Sequence, residues 1–234
     1  MIPRTASDND PRIAAIVPMR HFSRRVPGKN YRLLLDKPLY RYILDTLLAV
    51  PAITEVVVDT DSDQIIGELE QRLPEVRIVR RPEHLRSEML VMNDILPHII
   101  EEVDADYYLQ THSTNPLLRP ETIAEAIAAF LAQREVYDSL FSVTPRHVRL
   151  WTAEGEAVNH DPDNLIRTQD LESVMEENSC IYIFRREVFE ARRNRIGARP
   201  LVFAMDPVES LDVDTELDWQ IVEATLRAAE GSRA

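Results

Sequence analysis

Residues 13–30 read IAAIVPMRHFSRRVPGKN, and this stretch decides the fold. Residues 13–17 are uniformly apolar and β-branched or small, which predicts a short buried strand. Pro18 ends the run, and the chain passes into a loop carrying Arg20, Arg24, Arg25 and Lys29. The chain as a whole is acidic, with 27 Lys+Arg against 40 Asp+Glu, so this cationic cluster opposes the background. A basic loop at the C-terminal end of an α/β strand is where a polyphosphate would sit. The spacing is not that of a P-loop, and no G-x-G-x-x-G follows the strand, which disfavours a dinucleotide enzyme.

Working outward, buried runs alternate with helical periodicity. Strands are predicted at 55–59, 77–80, 107–110, 139–143 and 181–184. Helices are predicted at 37–50 with Pro38 in the first turn, 62–73 with Asp61 or Ser62 as N-cap, and 92–103 with a kink or restart at Pro97. Further helices are predicted at 120–133, 187–193 and 216–229. This alternation predicts an α/β fold, a Rossmann-like, doubly wound, mostly parallel sheet. Residues 144–180 break it and read as a small inserted β-rich arm suited to dimerisation. Residues 1–12 read as a disordered tail, leaving one domain over 13–230.

The net charge of −13 argues against non-specific nucleic-acid binding and against adhesion to anionic membranes, but not against a small anionic substrate met by a local basic pocket. No apolar run reaches the roughly 20 residues of a membrane span. The one cysteine, Cys180, lies in an apolar run and reads as a packed core thiol, which suits a reducing, cytoplasmic location.

Asp212 and Asp214 lie two apart in ESLDVDT, so an extended backbone points both carboxylates the same way. Such a pair suits Mg²⁺, which takes one or two carboxylates plus substrate phosphates. The competing reading is a cap for the last helix built from Asp214 or Thr215. Other polar clusters are LQTHSTNPLLR at 109–119, RRPEHL at 80–85 with Ser87, and RTQDL at 167–171 followed by ENSCIY at 177–182.

In order along the chain, these segments resemble the CMP-acylneuraminate synthetase family of cytidylyltransferases. The family's own segments run roughly I-P-A-R-x-G-S-K-R-x-P-x-K-N, R-P-x-x-L-A, L-Q-P-T-S-P-L-R, R-R-Q-D-L-P, E-N-G-A-I-Y and D-x-D-T. The resemblance spans about residues 13–225. It implies CTP as substrate, an acidic acceptor, Mg²⁺ as cofactor and a homodimer, with pyrophosphate released. It also implies catalytic roles for Arg20, Arg24 and Lys29. Nucleotide contacts would come from Arg20, Ser23, Asn30, Arg81 and Ser87. Gln110, His112, Arg167, Gln169 and Asn178 would bind the acceptor, with Asp212 and Asp214 on the metal. His112 is also a candidate general base. The implied acceptor is a nonulosonic (sialic-type) or 3-deoxy sugar acid. The alternatives are a small phosphonate acceptor or a non-catalytic nucleotide-binding homologue. This chain departs from the family's pattern at His21 and Phe22, where the family has glycines. It departs again in the longer 111–115 loop, at Thr168 in place of an arginine, and at Ser179 in place of a glycine.

Overall fold

The structure is a computed structural model that describes residues 11–231. The first strand, β1 (Ile13–Met19), is buried at every position and runs through Pro18 rather than stopping before it. It sorts its side chains by parity. Ile13, Ala15, Val17 and Met19 enter one core cluster, while Ala14 and Ile16 enter another on the opposite face. That is the period-2 alternation of a strand covered on both sides.

Beside β1 lie β4 (Glu55–Thr60) and then β5 (Arg77–Arg80), both parallel to it. On its other side lies β6 (Tyr107–Gln110), again parallel. The chain thus leaves β1 in one direction and returns to its other side, which makes the C-terminal end of β1 a topological switch point. β6 pairs antiparallel with β8 (Val174–Phe184), which pairs antiparallel with β7 (Ser139–Arg146). The edge strand β9 (Pro200–Ala204) lies parallel to β7. The full order is β5-β4-β1-β6-β8-β7-β9, and β8 alone runs against the other strands. A two-residue pair, β2 (Leu33–Leu34) with β3 (Lys37–Pro38), forms a separate antiparallel ladder.

Three helices cover one face: α1 (Leu39–Leu48), α2 (Asp63–Arg72) and α4 (Pro120–Ala132). The other face is covered by α3 (Met92–Glu102) and α5 (Arg186–Arg192). Pro38 stands one residue before α1, at its N-cap, because β3 occupies that position. Ser62 is the N-cap of α2, accepting from the Ile65 amide at 3.3 Å. Pro97 sits inside α3, which the structure assigns as one helix on both sides of it. The last helix, α6 (Glu216–Gly231), packs Trp219 and Val222 against Val26, Leu34, Leu39 and Val213. This third cluster clamps the loop after β1 to the segment carrying the aspartates.

The β structure of the expected arm resides in its flanks, where β7 and β8 extend to pair Arg146 with Val174. Between them, residues 147–173 hold one isolated bridge (Trp151 with Ala157) and one short 3₁₀ turn (Thr168–Asp170). Of the expected tail, residues 1–10 lie outside the described residues. Arg12 is tied to the sheet through its amide, which donates to the Asp106 carboxylate at 2.7 Å. Cys180 is fully buried and unpaired, and burial raises its thiol pKa.

Candidate active site

At the switch point a cleft of about 530 Å³ opens, lined by the loop after β1, the loop after β6, the N-terminal end of α3, and Asp212 and Asp214. The loop after β1 is held in shape from within. Gly28 takes φ +66°, and a Cβ there would lie 2.8 Å from the Tyr31 ring, so the turn requires glycine. The Asn30 side chain is buried and spends both ends of its amide. Its Nδ2 donates to the Arg20 carbonyl at 2.8 Å, and its Oδ1 accepts from the Ser113 hydroxyl at 2.7 Å. Asn30 therefore staples the loop after β1 to the loop after β6.

The cations of the loop hold different positions. Arg20 lines the cleft and makes no ion pair among the described residues. Lys29 is nearly buried and donates to the Val213 carbonyl at 2.6 Å and to Asp214 Oδ1 at 3.2 Å. Arg25 reaches the same Asp214 oxygen at 2.8 Å. Arg24 lies on the rim, paired with Glu88 at 2.6 Å. Ser23 also lines the cleft, its hydroxyl accepting from the Val26 amide at 3.4 Å.

The two positions where glycines were expected behave differently. His21 turns away: its amide donates to Asp61 at 2.7 Å, its Nδ1 meets the Ser62 hydroxyl at 2.7 Å, and its ring stacks on Tyr31. Phe22 stays exposed at the cleft rim.

The carboxylates come from a segment fixed at several points. Glu209, buried, accepts from the Arg119 amide and guanidinium and from Thr122 at the start of α4. The Val213 amide donates to the Thr114 carbonyl at 2.9 Å. Capping of α6 falls to Thr215 and Asp218, whose side chains and amides bond reciprocally at 2.7 and 3.2 Å. Thr215, one of the two expected caps, thus caps the helix, while the Asp214 carboxylate faces the cleft, paired with Arg25 and Lys29. Asp212 has its carboxyl pKa raised, chiefly by loss of solvent. A hydrogen bond from Thr114 lowers it, and the charge of Asp214 adds to the rise. Two neighbouring carboxylates that repel each other beside a cationic phosphate loop fit a hard divalent cation. No group of three or more His, Cys, Asp or Glu forms a metal cage among the described residues. A Mg²⁺ here would therefore take its remaining ligands from water and phosphate.

The loop after β6 contributes His112, Ser113 and Thr114 to the cleft wall. His112 is held neutral, its pKa pushed down to about 3 by burial and then by the charges of Arg195 and Lys29. Gln110 is fully buried below the cleft surface. Its Nε2 donates to the Thr111 carbonyl at 2.9 Å, and its Oε1 accepts from Arg195.

Other expected site residues stand apart. Arg81 lines the cleft but is committed to a buried ion pair, its Nε 2.6 Å from Asp59 Oδ1. Ser87 is exposed in a turn, accepting from the Met89 amide at 3.3 Å. Asn178 is built into the β7–β8 irregularity. It accepts from the Ser142 hydroxyl at 2.6 Å and donates to Thr144 at 3.1 Å. Arg167 and Gln169 lie in the exposed arm, with Arg167 paired to Asp170 at 2.7 Å. None of Ser87, Asn178, Arg167 and Gln169 lines the cleft. Arg195, from the loop after α5, lines it although the sequence did not single it out.

An open α/β sheet with a cationic strand-to-helix loop facing two carboxylates at its switch point defines a nucleotidyltransferase-type site. Within that class, the cytidylyltransferase family profile matches residues 14–218, and the chain belongs to that family. It is 28% identical over 219 residues to the N-acylneuraminate cytidylyltransferase of Oncorhynchus mykiss, an alignment covering 90% of this chain and 49% of that protein. It is 30% identical over 227 residues to the CMP-N,N'-diacetyllegionaminic acid synthase of Legionella pneumophila, covering 91% of this chain and 95% of that protein. The chain thus spans about half the length of the fish relatives it matches, and nearly all of the Legionella one. Its fold superposes with TM-score 0.68 on a CMP:2-keto-3-deoxy-manno-octonic acid synthetase solved with CTP, at 17% identity over 93% of this chain and 99% of that one. A 4-diphosphocytidyl-2C-methyl-D-erythritol synthase from Anaerococcus prevotii superposes equally, with TM-score 0.68 at 13% identity, covering 94% of this chain and 97% of that one. Among the described residues no helix is long and apolar enough to cross a membrane.

Proposed function

We propose that the chain is a Mg²⁺-dependent cytidylyltransferase. It moves CMP from CTP to an acidic sugar of the nonulosonic or 3-deoxy type and releases pyrophosphate. The observation that carries this reading is the convergence of Arg20, Lys29, Asp212 and Asp214 on one cleft. The names of the relatives support an acidic sugar as the acceptor.

In the proposed reaction an acceptor oxygen attacks the α-phosphorus of CTP. The new P–O bond forms as the bond to the bridging oxygen of the β-phosphate breaks, pyrophosphate leaves and the acceptor's hydroxyl proton passes to solvent. Charge gathers on the phosphate oxygens, where preorganised cations stabilise the transition state more than the ground state. Arg20, without a protein ion pair, offers its guanidinium to these oxygens. Lys29, locked by Val213 and Asp214, adds a fixed positive charge beside them. Arg25, 2.8 Å from Asp214, would be free to meet phosphate with that carboxylate holding the metal. Bound Mg²⁺ would be held by Asp212 and Asp214 and would neutralise the leaving pyrophosphate. Neutral His112 contributes a hydrogen-bonding group without charge to the acceptor side.

A homodimer belongs to the same proposal. Val148, Leu150, Trp151, Val158, Leu165 and Ile166 are all exposed on the arm of the isolated subunit. An apolar surface of this kind suits a protein partner.

The test is pyrophosphate release from CTP and Mg²⁺ across N-acetylneuraminate, a legionaminate-type acid, 3-deoxy-octulosonate and small phosphonates. Release with an acidic sugar, and none with ATP or UTP in place of CTP, is expected. CTP binding without release for any acceptor would move the assignment to a non-catalytic homologue.

A further inference from the structure

Arg195 is the unexpected cation of the cleft. It stands in the loop between α5 and β9 and reaches the cleft from the face carrying α3 and α5, where Phe189 anchors α5 in the core. Its guanidinium lies over the Tyr182 ring, 3.6 Å from the centroid, so the ring fixes its plane. Its Nη1 donates to Gln110 Oε1. Gln110 is itself fixed, because its Nε2 is spent on the Thr111 carbonyl. Tyr182 is fixed likewise, its hydroxyl held by Glu177 and by Ser179. Two buried groups therefore aim one guanidinium.

Neither Gln110 nor Tyr182 is a carboxylate, and Arg195 has no ion pair within 4.0 Å among the described residues; the charge of Glu177, which holds the Tyr182 hydroxyl, acts on it from farther off. Charges held this far from bulk water are ordinarily paired. A guanidinium has five N–H donors, and Gln110 accepts from one of its nitrogens. The Arg195 side chain forms part of the cleft wall beside Ser179, Ser113 and His112. His112 lines the same cleft as Arg195 and Lys29, and both charges act on its imidazole. The expected acceptor cation, Arg167, is in the arm and bound to Asp170, leaving Arg195 as the cation at this end.

We infer that Arg195, oriented by Gln110 and Tyr182, receives the acidic group of the acceptor and determines which acids the cleft accepts. This rests on the cytidylyltransferase reading only for the word acceptor; the anion site itself follows from the geometry. A planar guanidinium suits a bidentate carboxylate or phosphonate. A neutral imidazole beside it adds a hydrogen bond without a second charge.

The probes are N-acetylneuraminate for a sugar carboxylate and phosphonoacetate for a phosphonate. Each is titrated calorimetrically into the full chain, with and without saturating CTP, and the Arg195 Nε–H signal is followed by NMR, assigned by its loss in Arg195→Gln. At least one probe is expected to bind in the presence of CTP and to shift that signal. Arg195→Gln should weaken that binding about 10- to 100-fold, the range for a lost charge-assisted hydrogen bond. CTP affinity should stay within about twofold, because the phosphate end is untouched. Arg195→Lys keeps the charge without the fork and should recover only part of the loss. The proposal is overturned if neither probe binds the wild type, or if Arg195→Gln binds them equally well. Failure of CTP to bind, with the anion effect intact, would instead remove the cytidylyltransferase reading and leave the anion site standing.

Discussion

At the residue scale, the two aspartates carry the sharpest expectation. Asp212→Asn and Asp214→Asn should each reduce turnover by about 10²- to 10³-fold while melting within a few degrees of the wild type, since neither change alters shape. Full activity in both would remove them from the metal site. Burial raises the pKa of Asp212, so its ionised form is reached at higher pH than in a free aspartate. The acid limb of kcat/KM should therefore lie above that of a free aspartate, and should move down as Mg²⁺ is raised. His112 makes a separate pH prediction. Its folded pKa of about 3 is below the unfolded value near 6.5, so the unfolded chain binds the proton first. The stability is whole above about pH 6.5 and drains as pH falls toward 3. His112→Gln should accordingly flatten the fall in melting temperature between those limits; an unchanged slope would mean the imidazole is not held neutral. Ser179 takes the left-handed φ of +61° where the family has glycine. Ser179→Gly should stabilise by about 1 kcal/mol despite losing one hydrogen bond, read as a melting temperature raised by about 2–4 °C.

At the element scale, what was legible in the sequence was what a buried period makes visible. β1, β4, β5 and β6 are short apolar runs flanked by turn residues, and the sequence places each to within two residues of its observed ends. β9 left no such trace. It is an edge strand with no fully buried position, and Val202 is nearly half exposed. The direction of β8 was equally hidden, because pairing partners are set by topology and not by composition. In the site, local motifs announced the loop after β1 and the aspartates. Arg195 was not announced, since its role depends on Tyr182 and Gln110, which lie 13 and 85 positions away. The same distance effect removed Asn178 from the cleft, for its amide is taken by Ser142 and Thr144. The clamp between α6 and the phosphate loop yields a prediction at this scale. Trp219 is 3% exposed, packs with Val26 and Val213, and carries Arg32 over its ring at 4.2 Å. Trp219→Ala should cost about 3–5 kcal/mol and weaken CTP binding, because Val213 holds Lys29. Unaltered CTP affinity in a folded variant would show that the clamp serves stability alone.

At the scale of the whole molecule, the chain is acidic, whereas its cleft is lined by more cations than carboxylates. A net charge of −13 surrounds a pocket whose rim and floor hold Arg20, Arg24, Arg25, Lys29 and Arg195. Capture of CTP is therefore a local affair, and its affinity should fall with ionic strength as screening weakens the pocket's few uncompensated cations. The arm asks for a larger assembly. Residues 147–173 place six apolar side chains in solvent, Trp151 half exposed among them. The arm also carries Arg167 and Gln169, neither of which lines the cleft. The proposed two-fold dimer would account for both facts, burying the apolar face and giving these polar residues a neighbour to reach. Sedimentation at micromolar concentration should then give twice the mass of the 27.0 kDa chain, and Trp151→Glu should give the single mass. If the arm also serves the neighbouring cleft, Trp151→Glu will raise the acceptor KM and leave CTP affinity unchanged, and Arg167→Ala will raise the KM without dissociating the dimer. A wild-type chain that sediments as a monomer, with acceptor KM indifferent to Arg167, would mean that each cleft is complete by itself and that the arm has some other partner.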